Sequence, residues 1–489
     1  MTERVASLLN KGTPINQLPP ELFTRIFDLA VNRNSGEQAE QIIHLTHVCR
    51  HWRTTLLSYP RMWSTVYMQP GNPSVVSEWL ARSQQVPLTI IARFGDSYEH
   101  PPCRYQDSTV AILADENSRE VCPRHQAVLS LDQLLPHRSR IHDLGILLDV
   151  SDPDWDVDEG GYKSEPMLLY HPFFKGTLPN LQRLDFGVFH TEGGWPTIPI
   201  PDPLFTEDLP RLKELKYFGV DPSLPGTVKN LVSCEIGPWR DSLGPTVIHP
   251  HELQAFLNNN KTAKSLTISG CDFVTGGPQV PAAVTMTDIK TLKVHCFFAN
   301  RIERILSHIH APQFRNLDTV ELSLPLSFIS ATATDGSGHA LQFSYYRRSN
   351  VDSRLPQYFG AAITTLRLGQ EITRSGLDDE PVLCEYLQSL DAVQVLELYG
   401  PTVDFVQSAL SLTGVFPNLK TIRAAVSRDD CKRTLQILAI ASKRRMEEGN
   451  PLATIQPLLA GGGDGLDESL RAEWEECYKA EEIQSFLSN

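Results

Sequence analysis

One short phrase returns along most of this chain and restricts its fold more than any other feature. It reads L-x-x-L-x-L. Copies stand at 178–188 (LPNLQRLDFGV), 209–220 (LPRLKELKYFGV), 228–237 (VKNLVSCEIG), 262–271 (TAKSLTISGC) and 286–296 (MTDIKTLKVHC). Others follow at 314–324 (FRNLDTVELSL), 361–369 (AAITTLRLG), 391–400 (DAVQVLELYG) and 416–424 (FPNLKTIRA). The segments 86–94 (VPLTIIARF) and 140–150 (RIHDLGILLDV) are plausible earlier copies. Self-similarity of this kind marks a chain built from stacked units, none of which buries its apolar face alone.

The intervals carry helical signals, at 249–260, 300–310, 381–390, 403–412 and 431–445. The combination looks like an irregular leucine-rich-repeat solenoid of roughly ten units. First positions advance by 19 to 46 residues, against about 20–29 in regular repeats. The asparagine of regular repeats is mostly absent. The competing architecture is a doubly wound α/β sheet, whose strands would be continuous apolar runs; these strands alternate leucine with polar residues. Alternation sends the leucines to one face and the intervening side chains to the other. The second set, on the concave side of a solenoid, includes Arg183, Asp185, Glu214, Lys216, Glu235, Lys293, His295, Glu321, Arg367, Glu397, Tyr399 and Arg423. Both signs of charge suit recognition of a folded protein or peptide. The alternative for each residue is a solvated strand face.

The first 65 residues differ. Residues 17–31, QLPPELFTRIFDLAV, place two prolines before a helix expected to run to about Ala30. The prolines and Glu21 suit a helix start. Its apolar face (Leu22, Phe23, Ile26, Phe27, Leu29, Ala30, Val31) is wider than a core stripe. A second apolar-periodic segment, EQIIHLTHVCRHWRTTLL, ends at Tyr59-Pro60. Two or three helices in about fifty residues make a marginal core. The blocks Leu18-Pro19-Pro20-Glu21-Leu22, Ile26-Phe27-Asp28-Leu29, Val48-Cys49-Arg50-His51-Trp52-Arg53 and Pro60-Arg61-Met62-Trp63 resemble an F-box in the form common in fungal proteins. The polar segment between the helices, NRNSGEQAEQ, is longer than in the shortest F-boxes. The resemblance implies docking on the adaptor of an SCF ubiquitin ligase, through it to cullin and RING subunits, with Leu18, Pro19, Leu22, Ile26 and Phe27 as docking residues. The other reading of these helices is an N-terminal cap buried against the rest of the chain.

The expected organisation is an N-terminal tail (1–11), an F-box (12–65), an irregular leucine-rich-repeat solenoid (66–460) and a Gly linker with an acidic C-terminal helix (461–489). Insert loops fall at about 95–125, 152–166 and 325–358; the stretch 322–348 reads as a hairpin over a flexible tip. In the tail, Leu466, Leu470, Trp474 and Cys477 share a helical face, which suits an end cap or a partner-binding helix.

The formal charge of −14 concentrates past residue 70. Residues 1–70 hold seven Lys/Arg against five Asp/Glu, about +2, leaving about −16 elsewhere. An acidic body opposes nucleic-acid or anionic-membrane partners, and the slightly basic start suits an acidic adaptor. Nine scattered cysteines, none in a CxxC, exclude zinc ribbons and fit a reducing compartment. No apolar run approaches the ~18 residues of a membrane span, and the first residues lack a signal-like apolar region. Cytoplasmic or nuclear location is expected.

No sequence pattern for catalysis stands out. GxxxxGK[ST], GxSxG and HExxH are absent. His44, His47 and His51 share a helical face near Cys49, without a carboxylate to complete a metal set. The aspartates of 152–166 imitate a calcium loop but put Glu159 where a glycine is needed. Asn260-Lys261-Thr262 is a sequon by letter, and Cys122 and His125 form an imaginable thiol–imidazole pair. The expectation is a non-catalytic chain without cofactor or metal: a substrate receptor of an SCF-type ligase with an unidentified protein target. The rivals are a repeat scaffold that recruits no ligase, and an enzyme hidden in the inserts.

Overall fold

The computed structural model describes residues 13–31, 38–68, 73–94, 123–149, 171–189, 209–218, 228–237, 246–248, 250–273, 282–296, 299–317, 319–323, 328–346, 363–368, 390–399, 416–425, 431–447, 449, 452 and 454–457. Residues 95–122 of the insert expected at about 95–125, the whole insert at 152–166, the helical signals at 381–389 and 403–412, and the tail 461–489 lie outside them, and a helix already begins at Pro123. The chain is mixed α/β and forms two compact units, Met1–Leu231 with Ile236–Thr246, and Val232–Glu235 with Val247–Asn489.

The first unit begins with helices. After a 3-10 turn at Pro14–Gln17 come α1 (Pro20–Ala30), α2 (Gln38–Val48) and α3 (Arg50–Leu57). Pro20 opens α1, where a missing N–H costs nothing, and Glu21 faces the positive end of its dipole. Cys49, extended at φ −159° and ψ 169°, divides the second apolar segment into α2 and α3. The core of this bundle is aromatic. Phe23 and Phe27 meet edge to face with centroids 4.4 Å apart, and Trp52 of α3 lies 5.4 and 5.1 Å from them. The Trp52 indole donates to Asn16 Oδ1 (2.7 Å) and the Tyr59 hydroxyl to Asp28 Oδ2 (3.0 Å). The polar edges of these rings are therefore satisfied where their bodies are packed.

A 3-10 turn at Pro60–Trp63 leads into β1 (Thr65–Met68), α4 (Pro73–Arg82), β2 (Leu88–Phe94), α5 (Pro123–Leu134) and, after the 3-10 stretch Leu135–Arg140, β3 (Ile141–Asp149). Trp63 joins bundle to sheet. It donates to the Leu56 carbonyl (2.8 Å), meets Trp79 of α4 at 5.0 Å and lies under the Arg82 guanidinium at 4.4 Å. Past a 3-10 turn at Pro172–Lys175 come β4 (Arg183–Phe189) and β5 (Glu214–Phe218). β1 to β5 are parallel and neighbour one another in chain order.

The division between units falls within β6 (Ser233–Gly237), which β7 (Thr246–Ile248) follows. The second unit then holds α6 (Pro250–Asn259), β8 (Ser265–Ser269), β9 (Cys271–Phe273), β10 (Val284–Thr285), β11 (Thr291–Cys296), α7 (Ala299–Ser307), β12 (Ile309–His310), β13 (Thr319–Ser323), β14 (Phe328–Thr334) and β15 (Ala340–Tyr346). β16 (Thr365–Leu368), β17 (Val395–Tyr399), β18 (Thr421–Ala425), α8 (Cys431–Glu447) and β19 (Thr454–Pro457) complete it. Its sheet order is β8-β11-β15-β14-β13-β16-β17-β18-β19, parallel except where β14 runs against β13 and β15. The stretch read as a hairpin is thus part of the sheet. Its tip is held by Asp335, whose carboxylate accepts from the Ser337 and His339 N–H groups (both 2.9 Å) and pairs with His339 Nδ1 at 2.8 Å.

The repeated phrase has the same structural meaning in at least four copies. Its first two apolar positions bracket a turn: Leu181 N–H donates to the Leu178 carbonyl, Leu212 to Leu209, Val393 to Leu390 and Leu419 to Phe416, at 3.1–3.3 Å. Only the second half is strand. At several strand starts one carbonyl of the preceding copy accepts two N–H groups, as Gln182 does from Lys213 and Glu214, Lys264 from Lys290 and Thr291, and Gln394 from Lys420 and Thr421. The asparagine of LPNL and FPNL bonds to a neighbouring copy, Asn180 to the Ser139 carbonyl (2.6 Å) and Asn418 to that of Asp391 (2.9 Å). All apolar positions so fixed are buried, from Leu178, Leu181, Leu184 and Phe186 to Phe416, Leu419, Ile422 and Ala424.

Candidate functional site

Two surfaces contain the residues singled out by sequence. The first is α1. Leu22 is 55% exposed, Ile26 37% and Leu29 75%. Spaced i, i+4 and i+7, they form one stripe. Pro19 is exposed and Leu18 half-buried. Phe27 is different: at 1% exposure it is enclosed by Phe23 and Trp52, so its side chain belongs to the bundle core and not to the offered surface. Ile43 and Val48 of α2 and Leu57 of α3 are also exposed. The wide apolar face therefore splits into an inward third, held by rings, and an outward stripe.

The second surface is the strand face opposite the leucines. In the first unit Arg183 and Glu214 are exposed and 3.9 Å apart, while Asp185 and Lys216 are half-buried register partners. In the second unit Lys293 and His295 alternate with buried Leu292, Val294 and Cys296 on β11. Glu321 on β13 pairs in register with Arg367, and Tyr399 on β17 with Ala425; the side chains of Glu321 and Tyr399 lie outside the described ones. Arg367, Glu397 and Arg423 lie side by side on β16, β17 and β18. Glu397 departs from the expectation of an open concave residue. Its side chain is only 6% exposed, its carboxylate accepting from Arg367 Nε (2.7 Å) and Arg423 Nη1 (2.9 Å). A charged letter at an outward position conceals this, because the partners are 30 and 26 residues away and meet only through strand register.

Other candidates resolve into structural roles. His44 stands 3.8 Å from exposed Glu40, and His51 lies against the Phe23 ring at 5.4 Å. Among the described residues no group of three or more His, Cys, Asp or Glu is placed to hold a metal. Asn260 is buried, its amide bonded to the Phe256 carbonyl at 2.9 Å. Cys122 and the His125 side chain lie outside the described residues. Burial, with Glu235 nearby, pushes the Cys234 thiol far up, away from nucleophilic use.

A pair that sequence reading missed is His171 with Asp132, 3.2 Å apart. It has the look of a catalytic dyad, but the other ring nitrogen, Nδ1, accepts from the Phe173 N–H at 3.1 Å. His171 thus caps the Pro172–Lys175 turn and ties it to α5 as a neutral imidazole. Burial, above all, lowers the affinity of His171 for a proton, with Asp132 opposing and Arg138 assisting. Burial likewise lowers His137, His295 and His308. These groups bind protons more readily unfolded than folded, so their share of stability is complete above the ordinary histidine value of 6.5 and is lost as pH falls toward the lower folded values. Thermal melts between pH 7.5 and 5 are expected to fall steadily. His171→Asn, which keeps an acceptor for the Phe173 N–H, is expected to flatten the slope by up to about 1.4 kcal/mol per pH unit. An unchanged slope would remove His171 from this account.

Among the described residues no helix is long and apolar enough to cross a membrane. No protein-family model matches the chain, and no curated protein does.

Proposed function

We propose that this chain is the substrate-recognition subunit of an SCF-type ubiquitin ligase. In this reading the N-terminal bundle is an F-box and each unit is a run of irregular leucine-rich repeats. The observation that carries it is the exposed stripe Leu22, Ile26 and Leu29 beside Pro19, on a helix whose opposite side is committed to the aromatic core. An exposed apolar row on a small bundle is costly unless a partner covers it, and it coincides with the docking blocks of the F-box resemblance. The repeating turn and the chain-order parallel strands support the repeat reading. The strand face opposite the leucines would hold the target, and catalysis would come from recruited subunits, this chain raising the target's effective concentration beside them. The adaptor, cullin and RING subunits are the expected partners, in the cytoplasm or nucleus.

The test is capture of adaptor and cullin by the full chain. Leu22→Asp and Ile26→Asp place charges on the stripe while leaving the aromatic core intact. Each is expected to reduce recovery at least about tenfold, the scale of a lost interface anchor. Unchanged recovery in both would leave a repeat scaffold without ligase recruitment as the better reading.

A further inference from the structure

We infer that the strand face around Lys293, with Lys264 and Lys290 at its rim, receives an acidic segment of the bound target. This rests on the reading of the outward strand face as target-binding, but not on the docking of α1. Lys293 is half-buried on β11. Its register partners, Thr267 on β8 and Gln342 on β15, are half-buried and neutral. Among the described residues none of these three side chains has a hydrogen-bond or ion-pair partner. Stripping part of the water from an ammonium group without supplying a partner is costly, and a carboxylate arriving with the target offsets that cost. Carboxylates are in excess in this chain, 58 Asp and Glu to 44 Lys and Arg, so the pairing is withheld here and not missing for want of acids. Thr267 and Gln342 add neutral donors on either side of the charge.

The positive charge continues to the edge of the sheet where these strands begin. Lys264 and Lys290 precede the register partners Ser265 and Thr291, and the Lys290 N–H donates to the Lys264 carbonyl at 2.7 Å. Both side chains are exposed, and neither has an ion pair among the described residues. Neighbouring strands lie about 5 Å apart and three strand residues span about 10 Å, so one extended hexapeptide reaches all three lysines. The nearby acids leave the strip positive. Asp335 is committed to His339 and two N–H groups at the hairpin tip. Asp288, exposed two residues before Lys290, pairs with neither rim lysine. Burial first, and then Lys293, lower the affinity of His295 for a proton, with Glu235 opposing, which places the Lys293 charge over this face. A basic strip on an acidic body selects an acidic partner by charge complementarity.

Calorimetric titration of the full chain at low salt tests this, with a blocked hexaglutamate peptide as probe and blocked hexaglutamine and a single-stranded oligothymidylate as comparisons. Lys293→Gln is expected to weaken hexaglutamate binding about fivefold, and Lys264→Gln and Lys290→Gln about threefold each. Lys293→Arg keeps the charge and is expected to stay within about twofold of the wild type. Lys420 precedes Thr421 on β18 as Lys290 precedes Thr291, so Lys420→Gln makes the same change of charge in another copy and is expected to cost less than about twofold. If Lys293→Gln fails to fold by circular dichroism, the Lys264→Gln, Lys290→Gln double variant, with an expected loss of about tenfold, decides. No binding of hexaglutamate by the wild-type chain overturns the inference, as does equal binding of hexaglutamine. An equal loss in the Lys420 variant overturns it in favour of diffuse attraction, and tighter binding of the oligothymidylate overturns the assignment to a protein segment. A chain that captures adaptor but binds no hexaglutamate sinks this inference alone, and one that binds hexaglutamate but captures no adaptor sinks the docking alone, so the two readings fail separately.

Discussion

Phe27→Ala is expected to destabilise the N-terminal bundle by about 3–5 kcal/mol, the cost of deleting a fully enclosed aromatic side chain and leaving a cavity. Phe27 is 1% exposed and its ring meets Phe23 at 4.4 Å and Trp52 at 5.1 Å. Both contacts end with the ring. Whole domains are stable by only about 5–15 kcal/mol, so a loss of this size should melt α1 to α3 well before the rest. Hydrogen exchange over residues 20–57 reads it directly. Leu22→Ala on the same helix, at 55% exposure, should shift stability by no more than about 0.5 kcal/mol. The contrast separates the two halves of one apolar face. Adaptor capture in the Phe27 variant should fail only at temperatures where exchange shows the bundle open. If Phe27→Ala melted like the wild type, the aromatic core would not be what holds α1.

The periodic part of this chain was legible because repetition removes ambiguity. A leucine spacing that recurs many times fixes which strand positions face inward, and Leu184, Leu215, Leu266, Leu292, Leu366 and Leu396 are all buried as the phrase requires. The hydrogen bond closing L-x-x-L as a turn was not legible, since leucine at three-residue spacing also suits a helix. α1 was legible as a helix but not in its orientation: Leu22, Phe23, Ile26 and Phe27 span more than one core stripe, and only Trp52, far along the chain, selects Phe23 and Phe27 as the inner pair. The order β15-β14-β13 escaped as well, because a hairpin read from its turn residues does not tell which of its edges joins the neighbouring strands. Glu397 failed for the same reason. Local pattern gives the face of a residue; only register gives its neighbours across the sheet.

Removing both arginines around Glu397 should be among the most damaging polar changes on that face. In an Arg367→Met, Arg423→Met double variant a carboxylate that is 6% exposed would lose both donors shown for its oxygens. Stripping the partners from a buried charge costs about 3–5 kcal/mol, far more than the pair contributes over an apolar replacement. Either single variant should cost less, because one guanidinium still meets the carboxylate. The asymmetry yields a sharper expectation. Adding Glu397→Leu to the double variant removes the buried charge itself and should recover most of the loss, since a packed apolar side chain is often as stable as a buried ion pair. Glu397→Leu alone should be mild, as both guanidiniums are about two-fifths exposed and can turn to water. Denaturant melts of the four chains close this cycle. If the double variant and the triple variant proved equally unstable, the arginines would be supporting the strands by packing their stems, and the buried carboxylate would not be the reason they are needed.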